Sequence, residues 1–238
     1  MTIMKKMKLL SLLLALVMML SVFMTGCNKD DKDDTKEDPT TPTVAEGVDP
    51  NLSLGVIKDY TYTNNYIGIG LTLDSSWTMA DAKELQDLPD EVEDKLNGTL
   101  LGSAMKNVSY YMDMQATKTS GTNVYTINVV MEKLSTAQKN LYKGKNDSQC
   151  IDVTLTSKDA MIQAYEAIGM RDITMTKVDT GYLGETRTVL RTDSTLYGMP
   201  YTILQVLYFD LGEYSASITV ACVGENSTAE LLAMFEKI

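Results

Sequence analysis

The N-terminal segment, Met1–Gly26, decides which part of the chain is left to fold. Three lysines (Lys5, Lys6 and Lys8) precede an apolar run from Leu9 to Leu20 that one serine interrupts. A basic start, a short apolar core and small residues before a cleavage point are typical of a secretory signal peptide. The run is too short for a membrane-spanning helix, which needs about 20 apolar residues. We therefore predict that residues 1–26 are removed and take no part in the folded domain.

A cysteine follows the small residues directly, in the string Met24-Thr25-Gly26-Cys27. This string resembles a bacterial lipobox, with Met24 where leucine is commoner. The resemblance implies that Cys27 carries a diacylglyceryl group on its sulfur and becomes the N-terminus after cleavage. It also implies a protein anchored by lipid on the extracytoplasmic face of the cell membrane. The alternative is a plain signal peptide that is cut nearby, with Cys27 incidental.

The next segment, residues 27–50, has the composition of a tether. It contains eight acidic residues, three lysines and three prolines, and its only branched apolar residues are Val44 and Val48. Such a segment cannot bury enough surface to offset the entropy lost on folding, so we predict a disordered spacer. Its aspartates lack the spacing, the central glycine and the terminal glutamate of an EF-hand calcium loop.

Composition removes several classes of function. The chain has no histidine, which excludes Ser-His-Asp and Cys-His catalysis and every zinc site that needs a histidine ligand. Removal of residues 1–26 leaves 18 basic and 32 acidic residues, a formal charge of −14. Because nucleic acids are bound through clusters of lysine and arginine, we expect no nucleic-acid partner.

Residues 51–238 are long enough for one globular domain, and their patterning predicts an α+β fold. Period-two alternation between turn signals predicts strands over 61–63, 66–73, 107–118, 123–134, 172–178, 185–195, 200–209 and 214–223. Capping residues predict helices over 78–88, 91–96, 135–144, 158–168 and 226–238. Pro200–Phe209 is apolar on both faces, so we expect it to run through the middle of an antiparallel sheet with helices on both faces.

The string from Tyr62 to Trp77, followed by a capped helix, resembles a recurring opening in small lipoproteins of Firmicutes. The later hairpins and the closing helix are similar in order to the PsbP/Mog1-like fold, over about Tyr60–Ile238. That resemblance implies an α/β/α sandwich. PsbP proteins support the oxygen-evolving complex and Mog1 binds a small GTPase, so it also implies binding or assembly rather than catalysis. No binding residue of these families is carried over to this sequence.

Trp77, the only tryptophan, is a candidate ligand-binding residue. It has two interpretations: a stacking platform for a sugar or an aromatic ligand, or a core residue where strand passes to helix. Met112 and Met114 are two residues apart in a predicted strand. They also have two interpretations: residues that fill the core, or thioether ligands for copper.

Two cysteines remain beyond Cys27. Cys222 alternates with apolar residues and has the pattern of a buried thiol, whereas Cys150 follows a polar loop over residues 143–149. Free thiols are the expectation, with a disulfide as the alternative. The acids Asp113, Asp210 and Glu213 cannot be paired with other groups from the sequence.

The expected function is a non-catalytic binding or assembly module on a lipid tether, without a cofactor or metal. Its partners are expected to be the membrane, through the lipid on Cys27, and an unidentified extracytoplasmic protein or envelope component. Two alternatives stay open: a histidine-free hydrolase acting on envelope polymer, and a solute-capture lipoprotein of a transporter. A pocket lined by converging acids favours the hydrolase, and an exposed apolar patch favours the binding module.

Overall fold

The computed structural model describes residues 52–87 and 109–238. In these ranges the chain forms strands β1 to β11 and helices α1 to α4, and residues 82–87 are also helical. The strands are β1 (Val56–Lys58), β2 (Thr61–Asn64), β3 (Ile69–Thr72), β4 (Thr78–Met79), β5 (Tyr110–Ser120), β6 (Asn123–Lys133), β7 (Met170–Tyr182), β8 (Glu185–Leu196), β9 (Met199–Leu211), β10 (Tyr214–Val223) and β11 (Phe235–Lys237). The helices are α1 (Thr136–Tyr142), α2 (Asp147–Leu155), α3 (Lys158–Ala167) and α4 (Thr228–Ala233).

The larger sheet has seven antiparallel strands in the order β4-β5-β6-β10-β9-β8-β7. Three long hairpins, β5–β6, β7–β8 and β9–β10, supply most of it. The strand predicted to run through the middle, Pro200–Phe209, lies within β9, which has a neighbour on each side and is buried on both faces from Tyr201 to Leu207. The central place itself belongs to β10, whose ten residues are all buried.

Helices α2 and α3 cover one face of this sheet, here called the helix face. Apolar residues of both helices pack there on inward-facing side chains of β6, β8, β9 and β10. The helical side of this core consists of Ile151, Met161, Ala164 and Tyr165, and the sheet side includes Val130, Leu190, Ile203, Leu207 and Ala221. This packing also explains why α3 forms where it does, because Met161, Ala164 and Tyr165 are three and four residues apart.

The opposite face is covered mainly by a second sheet, with four antiparallel strands in the order β1-β2-β3-β11. Tyr62, Ile69, Leu71 and Phe235 of this small sheet pack on Ile127, Val129, Ile218 and Val220 of the large one. The short helix α4 adds Leu231 and Leu232 to the same core. The prediction of an α/β/α sandwich with helices on both faces is therefore wrong, because a sheet covers the face that was assigned to helices.

The C-terminus shows why that prediction failed. A helix over 226–238 was expected, with Phe235 and Ile238 facing the sheet. Instead α4 ends at Ala233, and β11 pairs with β3 through Phe235↔Leu71 and Lys237↔Ile69. Partners more than 160 residues away thus override a local helical pattern, since backbone hydrogen bonds to β3 replace those of a further helical turn.

Two local predictions near the start of the domain also need correction. Residues 65–68 form a turn and not a strand, and Gly68 adopts a φ of +79°, which glycine reaches without strain. Thr78 lies in β4 and does not cap a helix. The capping box lies three residues later and opens the helix over residues 82–87: Asp81 Oδ1 accepts from Glu84 N at 2.8 Å, and Asp81 N donates to Glu84 Oε2 at 3.2 Å. The predicted helix over 91–96 lies outside the described residues.

Helix α2 was missed because residues 143–149 were interpreted as a loop. Its start carries a capping box, in which Asn146 N donates to Gln149 Oε1 and Gln149 N donates to Asn146 Oδ1, both at 3.0 Å. The spacing of Asn146 and Gln149 was a usable signal in the sequence. Helix α1 was correctly predicted to start at Ser135, and the structure shows the same kind of box there, between Ser135 and Gln138.

The tight turn between β8 and β9 gives a first test of the fold. Tyr197 and Gly198 form a two-residue turn with φ angles of +52° and +78°, and Tyr197 is exposed. A left-handed conformation costs a residue with a bulky side chain about 1 kcal/mol, and asparagine tolerates it well. We expect Tyr197→Asn to raise the free energy of unfolding by about 1 kcal/mol, measured by urea titration.

Leu183 supplies the matched control for that variant. It occupies the first position of the equivalent turn between β7 and β8, with a φ of +53°. Its side chain packs on the core beneath the small sheet. Leu183→Asn should therefore give no gain, because lost apolar contact offsets the relief of strain. Equal stabilisation by both variants would contradict this explanation.

Candidate functional site

The predicted lipidation residue, Cys27, lies outside the described residues, as does the tether over 27–50. The anchor therefore stays a prediction from sequence. The candidates that can be placed lie in the domain, on strands of the large sheet, in the segments next to those strands and on the helices that cover the sheet.

Trp77 is a core residue. It is almost completely buried, and it packs in the core between the two sheets with Tyr62, Leu71 and Ala116. The ammonium group of Lys118 lies 5.9 Å from the centre of its ring. Of its two interpretations, this geometry favours the residue that closes the core, since a stacking platform needs an open ring face.

The two thiols are free and lie on opposite sides of the large sheet. Cys222 faces the small sheet, whereas Cys150 lies on α2 beside Tyr142. Burial raises the pKa of each thiol to about 11. Because the thiolate is the nucleophile, both are poorly suited to attack at neutral pH.

A bulge in β5 separates the two methionines that could have formed a thioether site. The register with β6 shifts between Met112 and Met114, so that Asp113 is the extra residue. Met112 consequently packs on the helix face and Met114 under the small sheet. A bulge reverses the side on which the following residues point, which rules out a copper site that uses both sulfurs.

Asp113, on that bulge, joins the two sheets. Its Oδ2 accepts from Tyr62 Oη and Asn64 Nδ2, both at 2.5 Å, and its Oδ1 accepts from Gly55 N at 2.6 Å. Burial raises the pKa of this carboxyl, and the donors oppose the rise. A Cβ atom at Gly55 would lie 2.3 Å from the ring of Tyr62, so only glycine fits at position 55 beside that ring. With three donors bound, this carboxyl is placed to hold the sheets together.

Glu132, near the end of β6, is the second buried acid of this hairpin and has far fewer partners. Its Oε1 accepts from Gln138 Nε2 at 3.1 Å, while its Oε2 has no hydrogen-bond partner in the described part of the chain. Burial raises the pKa of the carboxyl to about 7, and the bond from Gln138 only partly opposes the rise. Glu132 lies on the side of β6 that also carries Thr126 and Asn128, and both sides of the strand are buried there.

A row of uncharged polar side chains crosses the helix face in the middle of the large sheet. The register pairs Gln115 with Asn128, Asn128 with Thr219, and Thr219 with Gln205, and all four are buried. Gln205 Nε2 donates to Thr219 Oγ1 at 3.1 Å. These groups donate and accept hydrogen bonds but do not titrate, so the row is unsuited to proton transfer, and its burial keeps it from contacting a ligand at the surface.

Arg187, on β8, is the most elaborately held cation of the described residues. Its Nε lies 2.8 Å from Asp147 Oδ2, and its Nη2 donates to Asp147 Oδ1 and to the carbonyl of Leu207, both at 3.1 Å. The guanidinium lies 4.0 Å from the ring centre of Tyr208, whose hydroxyl donates to Tyr182 Oη at 3.2 Å. Burial would lower the pKa of Arg187, but these neighbours keep it raised. The arrangement fixes the start of α2 to the sheet.

The acids that might have formed a hydrolase site do not converge. Asp210 is exposed, and Glu213 pairs with Lys139 at 2.6 Å in an exposed contact. Within residues 52–87 and 109–238, no three side chains of histidine, cysteine, aspartate or glutamate are grouped to hold a metal ion.

Comparisons with known proteins leave the chain without an assigned family. No family model matches it, and no curated protein matches it either. The resemblance to PsbP/Mog1-like lipoproteins therefore stays a prediction. Among the residues that the structure describes, no helix is long and apolar enough to cross a membrane.

Proposed function

We propose that this chain is an extracytoplasmic lipoprotein whose domain, residues 51–238, binds or assembles with another molecule and performs no reaction. The observation that carries the proposal is the N-terminal sequence, in which a basic start and an apolar run lead directly to Met24-Thr25-Gly26-Cys27. A tether of acidic and small residues then separates the lipid from the domain. The partners are the bilayer, through Cys27, and an envelope component or protein outside the cytoplasm.

The binding role draws on the chemistry of the polar groups in the described domain. Nucleophilic catalysis needs a nucleophile beside a base, and the buried thiols here have raised pKa values and no histidine to activate them. Asp113 is occupied by three donors that join the sheets. The row from Gln115 to Gln205 is buried and neutral, so it supplies no general acid or base. These groups therefore support the proposal only by being unsuited to turnover.

The anchor can be tested in intact cells with a single substitution. Cys27→Ala should abolish incorporation of a labelled fatty acid and leave residues 1–26 uncleaved, because the variant has no sulfur to acylate and no lipidated cysteine before which to cut. Cys222→Ala is the matched control and should keep full labelling, since that thiol is buried in the core. Labelling and cleavage that survive in Cys27→Ala would contradict the lipoprotein assignment.

The non-catalytic part of the proposal has its own test. The purified protein should show no multiple turnover on peptidoglycan fragments, glycans or ester substrates. Turnover that disappears when one carboxylate or Cys150 is replaced would establish an enzyme and remove the binding-module proposal.

A further inference from the structure

The contact between Glu132 and α1 has the geometry of a proton-controlled latch. Glu132 is 1% exposed, and Gln138, which holds it, is 3% exposed. Gln138 is also the third residue of α1, where its Oε1 accepts from Ser135 N at 2.7 Å and its backbone N donates to Ser135 Oγ at 3.2 Å. One glutamine thus caps the helix and binds the buried acid.

The surroundings of Glu132 supply little to stabilise a negative charge. Its cross-strand neighbours are Tyr110 on β5 and Ser215 on β10. On α1, Tyr142 lies close enough for the charge of Glu132 to contribute to its raised pKa. The nearby cation, Lys139, is engaged at the surface with Glu213 of the β9–β10 turn. Within the described residues an ionised carboxylate here therefore accepts a hydrogen bond from the amide of Gln138 at one oxygen, and its other oxygen has no hydrogen-bond partner.

We propose that ionisation of Glu132 weakens the docking of α1 on the large sheet, so that the attachment of this helix responds to pH. A protonated carboxyl is neutral and is tolerated in the buried position between β6 and α1. A carboxylate regains water only if α1 moves away. The helix is short, and it joins β6 through Leu134 and Ser135, so it can open without disturbing the sheet.

Opening of α1 would uncover a defined part of the core. Tyr142, at the end of α1, stacks on Phe209 with 3.6 Å between ring centres and an interplanar angle of 6°. The thiol of Cys150 lies in the same small cluster. A protein on the outer face of a membrane meets the pH of its surroundings directly, so this response extends the proposed function without depending on it.

The direction of the response follows from the two protonation states. The carboxyl has a pKa of about 7 with α1 docked and near its ordinary 4.5 when α1 is open. The docked state therefore binds the proton more tightly, and docking is strongest in acid. The opening constant should rise about tenfold per pH unit between 4.5 and 7 and then level off. Between pH 5.5 and 8.5 it should rise about 30-fold.

The experiment follows hydrogen exchange of the purified protein at pH 5.5 and pH 8.5, with rates corrected for intrinsic exchange. Amides of α1 should lose about 30-fold protection at the higher pH, while those of β10 keep theirs. Glu132→Gln, which keeps the shape but cannot ionise, should remove the difference. Glu213→Gln is the control, because it removes an exposed acid that also contacts α1. It should leave the loss of α1 protection between pH 5.5 and pH 8.5 unchanged.

A carboxyl-carbon NMR titration of the wild-type protein tests the same claim without any variant. A midpoint within about one unit of 7 for Glu132, together with the loss of protection, supports the latch. A midpoint near 4.5, or an equal loss of protection in Glu132→Gln, overturns it.

Discussion

Asp113→Ala should lower the free energy of unfolding by about 4 kcal/mol, because three buried donors lose their acceptor at once. The hydroxyl of Tyr62, the amide of Asn64 and the backbone N–H of Gly55 all bind this carboxyl. A loss of that size is a large part of the free energy of unfolding of a typical domain, which is about 5–15 kcal/mol. Urea denaturation followed by circular dichroism measures it directly.

Asp210→Ala is the matched control for that substitution. Asp210 is also an acid near the end of a long hairpin strand, but it is exposed. Its removal should change stability by less than about 0.5 kcal/mol. A double-mutant cycle with Tyr62→Phe should then show coupling to Asp113 of at least about 1 kcal/mol. Independent effects of the two substitutions would show that the carboxyl does not bind the small sheet to the large one.

Arg187→Ala should be destabilising by about 2 kcal/mol, because it removes a side chain that is only 19% exposed, uncovers the ring of Tyr208 and breaks the bond to the Leu207 carbonyl. Arg187→Lys keeps the charge but loses the two-point contact and the stacking, so we expect it to recover less than half of that loss. The effect should concentrate at the start of α2. Hydrogen exchange of residues 147–155 shows where it acts.

Arg191→Ala provides the comparison within the same strand. Arg191 also makes a two-point contact, with Asp193, at 2.6 and 2.9 Å. Both side chains of that pair are more than a third exposed, and exposed ion pairs contribute about 0–1 kcal/mol. Equal losses in Arg187→Ala and Arg191→Ala would mean that burial and stacking add nothing at Arg187.

The features that depend on near neighbours could be predicted from sequence. The β5–β6 hairpin and helices α1 and α3 were identified because a turn, a capping residue and an apolar period act over a few residues. Helix α2 carried an equally local signal in Asn146 and Gln149, and it was overlooked. The pattern around Cys222 correctly indicated a buried thiol.

The candidate groups in the domain depended on contacts that no local pattern encodes. Asp113 acquires its donors from residues 49 to 58 positions earlier in the chain. The burial of Glu132 could not be predicted from β6, because alternation gives the period of a strand and not what covers each side. The acid pairs with Gln138 only because α1 folds back over the end of the strand.

By itself, then, the sequence determined an N-terminal segment with the marks of a lipoprotein signal, a domain without histidine chemistry, and most of its hairpins. The tertiary structure alone decided that a second sheet, and not a helical layer, covers the other face of the large sheet. The physical reason is that β11 and β3 are separated by more than 160 residues. The two strands pair because their pairing lets the small sheet bury its apolar side chains against the large sheet. That burial needs segments far apart in the chain, so no single stretch of sequence predicts it.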